Sequence, residues 1–235
     1  MKIRKLFVAL LISTTTVFSF AQNNSFSKEM SAWHKKAVIT CGMIKSPDAG
    51  SKSQVIDQNL NELSEGLGTI TQKYLNNPPA EYKNDPLWTS YFDDLADNLT
   101  VVKYYANKQE YRVAGKNCSV FCQTILRMHK NNGTVELSDM LFSLNMQLKL
   151  TTDISNAGNT EGAKDNVELV KKIIEHAAKK VKSDNNANLQ ALFVPVVKTT
   201  QDWLKAIEAG DAKAAKTLYT SFTPDFQKIF MASME

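Results

Sequence analysis

Apolar residues recur along this chain in steps of three and four, the period of a helix with one buried face. Ile56, Leu60, Leu63, Leu67, Ile70 and Tyr74 predict a helix over 53–75, and Trp88, Phe92, Leu95, Leu99 and Val102 predict another over 87–107. Between them NNPPAEYKNDP carries three prolines and three asparagines, which suit a loop. Met30, Trp33, Ala37 and Cys41 mark a first helix. Further stripes run through Tyr111, Cys118, Cys122, Ile125 and His129, through Leu137, Leu141, Leu144 and Leu148, and through Val170, Ile173, Ala177 and Val181. Two last helices are expected over 189–209 and from 212 to the end. Pro195 is expected to kink the first of these. Pro224 is expected to interrupt the second, with Thr223 capping a fresh turn, because a proline inside a helix removes an amide donor and crowds the preceding turn.

Neither alternating strand patterns nor glycine-rich hairpin signals accompany these stripes. The fold class that follows is all-α, an antiparallel helical bundle, with short links joining helices of three to six turns. HKNNGTVELSD, residues 129–139, has the turn-forming Asn131, Asn132 and Gly133 near mid-chain. It divides the chain into two four-helix units, 22–131 and 137–235. A shift of 104 residues sets Leu99 on Trp203, Val102 on Ala206, Cys118 on Phe222, Cys122 on Phe226 and Ile125 on Ile229. On that echo the cysteines occupy positions filled by core phenylalanines in the second unit, which favours their burial. Gly66 and Gly68 each cost about 1 kcal/mol in a helix interior relative to alanine. Close helix approach explains them most simply, and a ligand slot is the alternative.

The N-terminus reads as an export signal over residues 1–21: Lys2, Arg4 and Lys5, an apolar run from Leu6 to Phe20, and small residues Ser19 and Ala21 before the expected cut. No cysteine follows the run to carry a lipid anchor, and no later segment reaches the roughly 20 apolar residues of a spanning helix. The expected mature protein is periplasmic or secreted, with no transmembrane segment. Cleavage removes three of 28 basic residues and leaves all 24 acidic ones, so the net charge falls from +4 to about +1. A nucleic-acid role loses its electrostatic basis with the signal. Lys171, Lys172, Lys179, Lys180 and Lys182 are interleaved with Glu168, Glu175 and Asp184, as on a solvated helix face.

Three cysteines in an oxidising compartment permit one disulfide and leave one thiol over. Cys118 and Cys122 lie one turn apart, which a regular helix holds too rigidly for disulfide geometry. Late residues of the first helix face early residues of the fourth in an up-down-up-down bundle, so Cys41 and Cys118 are the expected pair. The same geometry permits a second reading. His34 and Cys41 lie two turns apart on one helix, Cys122 and His129 two turns apart on the other, and Met43 and Met128 are close in sequence. Cys122, His129 and His34 are therefore candidate ligands for copper or zinc. All of these residues extend over more than about 10 Å of helix, so only a subset could meet one ion. Core packing is the competing account of the same stripe.

The segment DPLWTSYFDDLADNLTVVKYYANKQEYRVAGKNCSVFC, residues 85–122, resembles the second half of cytochrome c prime, a family of exported four-helix bundles. The likeness extends over about residues 30–131. In that family the fourth helix carries CxxCH, whose thiols hold haem and whose histidine ligates iron. Here the spacing is Cys118-x3-Cys122 and Gln123 stands at the histidine position. The resemblance therefore implies the scaffold without covalent haem; non-covalent haem between His129 or His176 and a methionine is the form that stays open.

No GxSxG, HExxH, P-loop or dinucleotide motif occurs, and there are only three histidines. Asp93, Asp94 and Asp97 read as a solvated face. Trp88, Tyr91, Phe92, Tyr104, Tyr105 and Tyr111 are either core or the lining of a cavity for a small apolar ligand. The expected function is non-enzymatic binding or interaction in the cell envelope, with an envelope partner or a small ligand and no cofactor. The alternatives are a metal- or haem-binding carrier and a carrier of a small apolar ligand.

Overall fold

The computed structural model of the protein describes residues 25–234. The expected signal peptide, 1–21, lies outside them. Among the described residues there are no strands, and the fold is an all-α helical bundle. The chain divides into two compact units that meet in sequence between Thr134 and Val135.

The first unit begins with α1, residues 25–45, which buries Phe26, Met30, Trp33, Ala37, Cys41 and Ile44. A short 3-10 turn, Ala49–Lys52, leads into α2, Ser53–Tyr74, whose six buried residues are the six of the sequence stripe. The proline-rich connection holds one further 3-10 turn, Ala80–Tyr82, before α3, Trp88–Asn107. The expected single fourth helix is two: α4, Tyr111–Asn117, and α5, Ser119–Asn132, with Cys118 between them. The hydrophobic period runs on across that joint, so the sequence stripe does not reveal it. α5 ends at Gly133, whose φ of 68° only glycine adopts without steric cost, and its amide donates to the His129 carbonyl.

Cross-helix contacts fix the direction of packing. Trp33 Nε1 donates to the Leu63 carbonyl at 2.8 Å, while Lys36 pairs with Glu62 and Lys73 with Glu29, so α1 and α2 run antiparallel. Arg127 pairs with Asp94 and Asn131 donates to the Tyr91 hydroxyl, so α3 and α5 also run antiparallel. At one end Phe26, Tyr74, Tyr82, Trp88 and Phe92 form a cluster with ring centroids 5.0–5.4 Å apart.

The second unit consists of α6, Leu137–Asn156; the short α7, Thr160–Lys164; α8, Val167–Ser183; α9, Ala187–Glu208; and α10, Ala212–Ala232. α6 packs on α8 and α10, and α9 packs on α8 and α10. Trp203 Nε1 donates to Thr152 Oγ1 at 2.9 Å, and Tyr219, Phe222, Phe226 and Phe230 stack along α10. Two expectations are corrected here. Ile174, not Ile173, continues the buried stripe of α8. Pro224 does not restart α10, which is continuous, and Thr223 Oγ1 donates back to the Tyr219 carbonyl instead of capping a new turn. The carbonyls deprived of a donor belong to Thr220 and, for Pro195, to Ala191; both residues are exposed, so water can satisfy them.

Candidate functional site

The strongest concentration of reactive groups lies in the first unit, where α1 meets the α4–α5 joint. Cys41 and Cys118 form a disulfide with Cα atoms 5.7 Å apart. It closes a separation of 77 residues, for which the chain-entropy estimate of stabilisation is about 4 kcal/mol. Both cysteines are buried, as the helix periodicity requires of that stripe.

Cys122 stays outside the disulfide and is 8% exposed. Its Sγ lies 3.1 Å from Nε2 of His34, itself 4% exposed. A thiol donating to imidazole and an imidazolium donating to thiolate fit this contact equally; they differ by the position of one proton. His34 is thus a buried polar group with a partner, and the partner is the one cysteine the disulfide leaves over. The ring of Trp33, the preceding residue, meets Phe121 edge-on at 5.6 Å, and Gly66 leaves room for it, since a Cβ there would sit 3.3 Å from its ring. Gly66 therefore serves close approach. Gly68 does not, because a Cβ there would touch nothing within 4 Å.

Above this pair, Lys45 lays its stem across Gly115, where a Cβ would come within 3.0 Å of Lys45 Cγ. Burial pulls the Lys45 pKa below the ordinary lysine value, and charge on Cys122 acts in the opposite sense. Ile44, Lys45, Ser46, Tyr111, Arg112, Gly115 and Lys116 line a pocket of about 400 Å³. Sequence reasoning missed this pocket: a lysine at a helix end and a glycine in a seven-residue helix give no signal of meeting.

His129 lies two turns beyond Cys122, about 10 Å along α5. Among the described residues no three His, Cys, Asp or Glu side chains converge as a metal site. Of the candidate ligands, then, the fold brings His34 and Cys122 together. His176 is exposed on α8. Trp88, Tyr91 and Phe92 are core, whereas Tyr104 is 52% exposed. Tyr104 lines a larger groove of about 780 Å³ between α2 and α3, with Ser64, Gly68, Thr71, Ala96, Thr100 and Lys103 among its walls. No family model, curated protein or solved structure matches this chain. Among the described residues no helix is long and apolar enough to cross a membrane.

Proposed function

We propose that the chain is an exported, non-enzymatic binding protein of the cell envelope, built on a scaffold resembling cytochrome c prime without its haem attachment. Residues 1–21 direct export and are removed after Ala21. The buried disulfide supports this reading, since such bonds persist in oxidising compartments and are rare in reducing ones.

One observation carries the binding role: the groove between α2 and α3. Here two helices present Ser64, Gly68, Thr71, Ala96 and Thr100 and leave about 780 Å³ open, about twice the Lys45–Gly115 pocket, with Tyr104 and Lys103 at its side. Gly68 faces that space without any packing need for its small size. A concave surface with small walls, an aromatic ring and a cation suits a ligand with both apolar and polar parts.

The test is native mass spectrometry of protein exported through its own signal. The expected result is a mature mass beginning at Gln22, carrying a bound ligand or partner that Gly68→Leu removes by filling the groove. A ligand-bearing mass untouched by Gly68→Leu overturns the groove assignment. A second reading, a copper or zinc carrier, is favoured by the His34–Cys122 contact alone. A tetrahedral ion would need the two ligand atoms about 3.5 Å apart, so the pair would have to open slightly. A stoichiometric metal mass lost in both His34→Gln and Cys122→Ser would decide for it.

A further inference from the structure

We propose that Cys122 is a nucleophile that exchanges with the Cys41–Cys118 disulfide, forming a Cys118–Cys122 bond and releasing Cys41. The thiol already has a base: His34 Nε2 lies 3.1 Å from its sulfur. It also has an electrophile one helical turn away, since Cys118 precedes it by four residues and is held oxidised. Burial restricts the reaction partner. At 8% exposure Cys122 is poorly reached by external thiols, and the adjacent disulfide is inside the same core.

Geometry selects which sulfur is attacked. The α1 and α5 helices run antiparallel here, because Cys41 pairs with Cys118 while His34 meets Cys122. Four residues of α5 rise by about 6 Å, so Cys122 lies between the levels of His34 and Cys41. Combined with the 5.7 Å separation at the disulfide, this puts the Cα atoms of Cys41 and Cys122 about 8 Å apart. That exceeds the span a disulfide bridges, whereas the roughly 6 Å between Cys118 and Cys122 falls inside it. In a regular helix their Cβ atoms would still be about 1–2 Å too distant. Cys118, however, belongs to neither α4 nor α5. Its backbone nonetheless keeps helical dihedrals, φ −58° and ψ −31°, so the exchange requires the first turn of α5 to open, the local fraying that helix ends undergo.

The step balances internally. The Cys122 thiol gives its proton to His34, and the thiolate attacks Cys118 Sγ. A Cys118–Cys122 bond forms as the Cys41–Cys118 bond breaks. Cys41 leaves as a thiolate and takes up a proton, and His34 returns one. One disulfide and one thiol exist before and after, so no oxidant or reductant enters. The consequence is mechanical: α1 loses its covalent tie to the α4–α5 joint while the protein stays oxidised.

The test uses the full oxidised chain incubated in mildly alkaline buffer, quenched in acid at intervals, alkylated under denaturing conditions and digested with trypsin. Before exchange, peptide 37–45 is linked to peptide 117–127 and Cys122 carries the alkyl group. Exchange appears as an alkylated, unlinked 37–45 together with an unalkylated 117–127 closed on itself. We expect this pair to grow to a steady fraction, to be absent in Cys122→Ser, and to form about tenfold more slowly in His34→Gln. Alkylation confined to Cys122 throughout overturns the exchange, and an unchanged rate in His34→Gln overturns the imidazole's role. Should Cys122→Ser not fold, oxidised Cys41→Ser decides: failure to close the 117–127 peptide under native conditions also overturns the proposal. None of these readouts involves the ligand of the α2–α3 groove, so the two proposals stand or fall separately.

Discussion

At the scale of single residues, the two glycines of α2 make opposite predictions from identical chemistry. Gly68→Ala adds a methyl to open space and gains helix propensity, so it should stabilise by about 1 kcal/mol in urea unfolding. Gly66→Val drives a larger group against Trp33 and should destabilise by about 1–3 kcal/mol in the same measurement. Asp85 offers a pH test. Desolvation alone raises its pKa, but hydrogen bonds from Asn132 Nδ2, the Leu87 amide and the Tyr91 hydroxyl outweigh it and hold the carboxyl below its ordinary value. A depressed folded pKa means the contribution is present above the ordinary aspartate value and is lost as pH falls through the lowered one. Unfolding free energy measured across the acid range should therefore fall less steeply in Asp85→Asn than in the parent. None of this network was legible in the sequence, where Asp85 is one polar residue in a proline-rich loop.

At the scale of elements, the stripe of α2 was read residue for residue, because an amphipathic helix writes its buried face into its period. The break at Cys118 was not, since both halves keep the same period. The prolines show why a local rule fails: Pro224 removes a donor whose loss costs little where the opposing carbonyl can face water. Pro224→Ala restores that hydrogen bond but frees the unfolded chain, so it should change the stability of the second unit by less than about 1 kcal/mol, read as a nearly unchanged Tm. The cysteine staple belongs to this scale too. Cys118→Ser unties α1 from the α4–α5 joint and should cost about 2–5 kcal/mol by denaturant titration. At the positions paired by the 104-residue shift, Cys118 at the α4–α5 joint, Cys122 on α5, and Phe222 and Phe226 on α10 are all buried.

At the scale of the whole molecule, each compact unit carries its own buried apolar set and its own indole anchored by a hydrogen bond, Trp33 to Leu63 and Trp203 to Thr152. Segments 25–134 and 135–234 should each give a helical circular dichroism spectrum and a cooperative melt when produced alone. A segment that melts without a transition would show that its core is not sufficient. Most ion pairs among the described residues are exposed, among them those of Lys171 on the lysine-rich face of α8, while the Lys180–Asp184 pair is half-buried, and the exposed ones contribute little individually. That face is solvated as its alternating charges imply.

By itself the sequence determined the all-α class, the buried faces and the expected Cys41–Cys118 pairing, because helical period and antiparallel order are local or nearly local properties. Tertiary structure alone decided that His34 meets Cys122 rather than His129, that Gly66 is crowded while Gly68 is open, and that Lys45 crosses Gly115. Each depends on how far two helices slide and rotate against one another. A shift of one residue along a helix moves a side chain about 1.5 Å axially and 100° around it, and no stripe of apolar positions records displacements that fine.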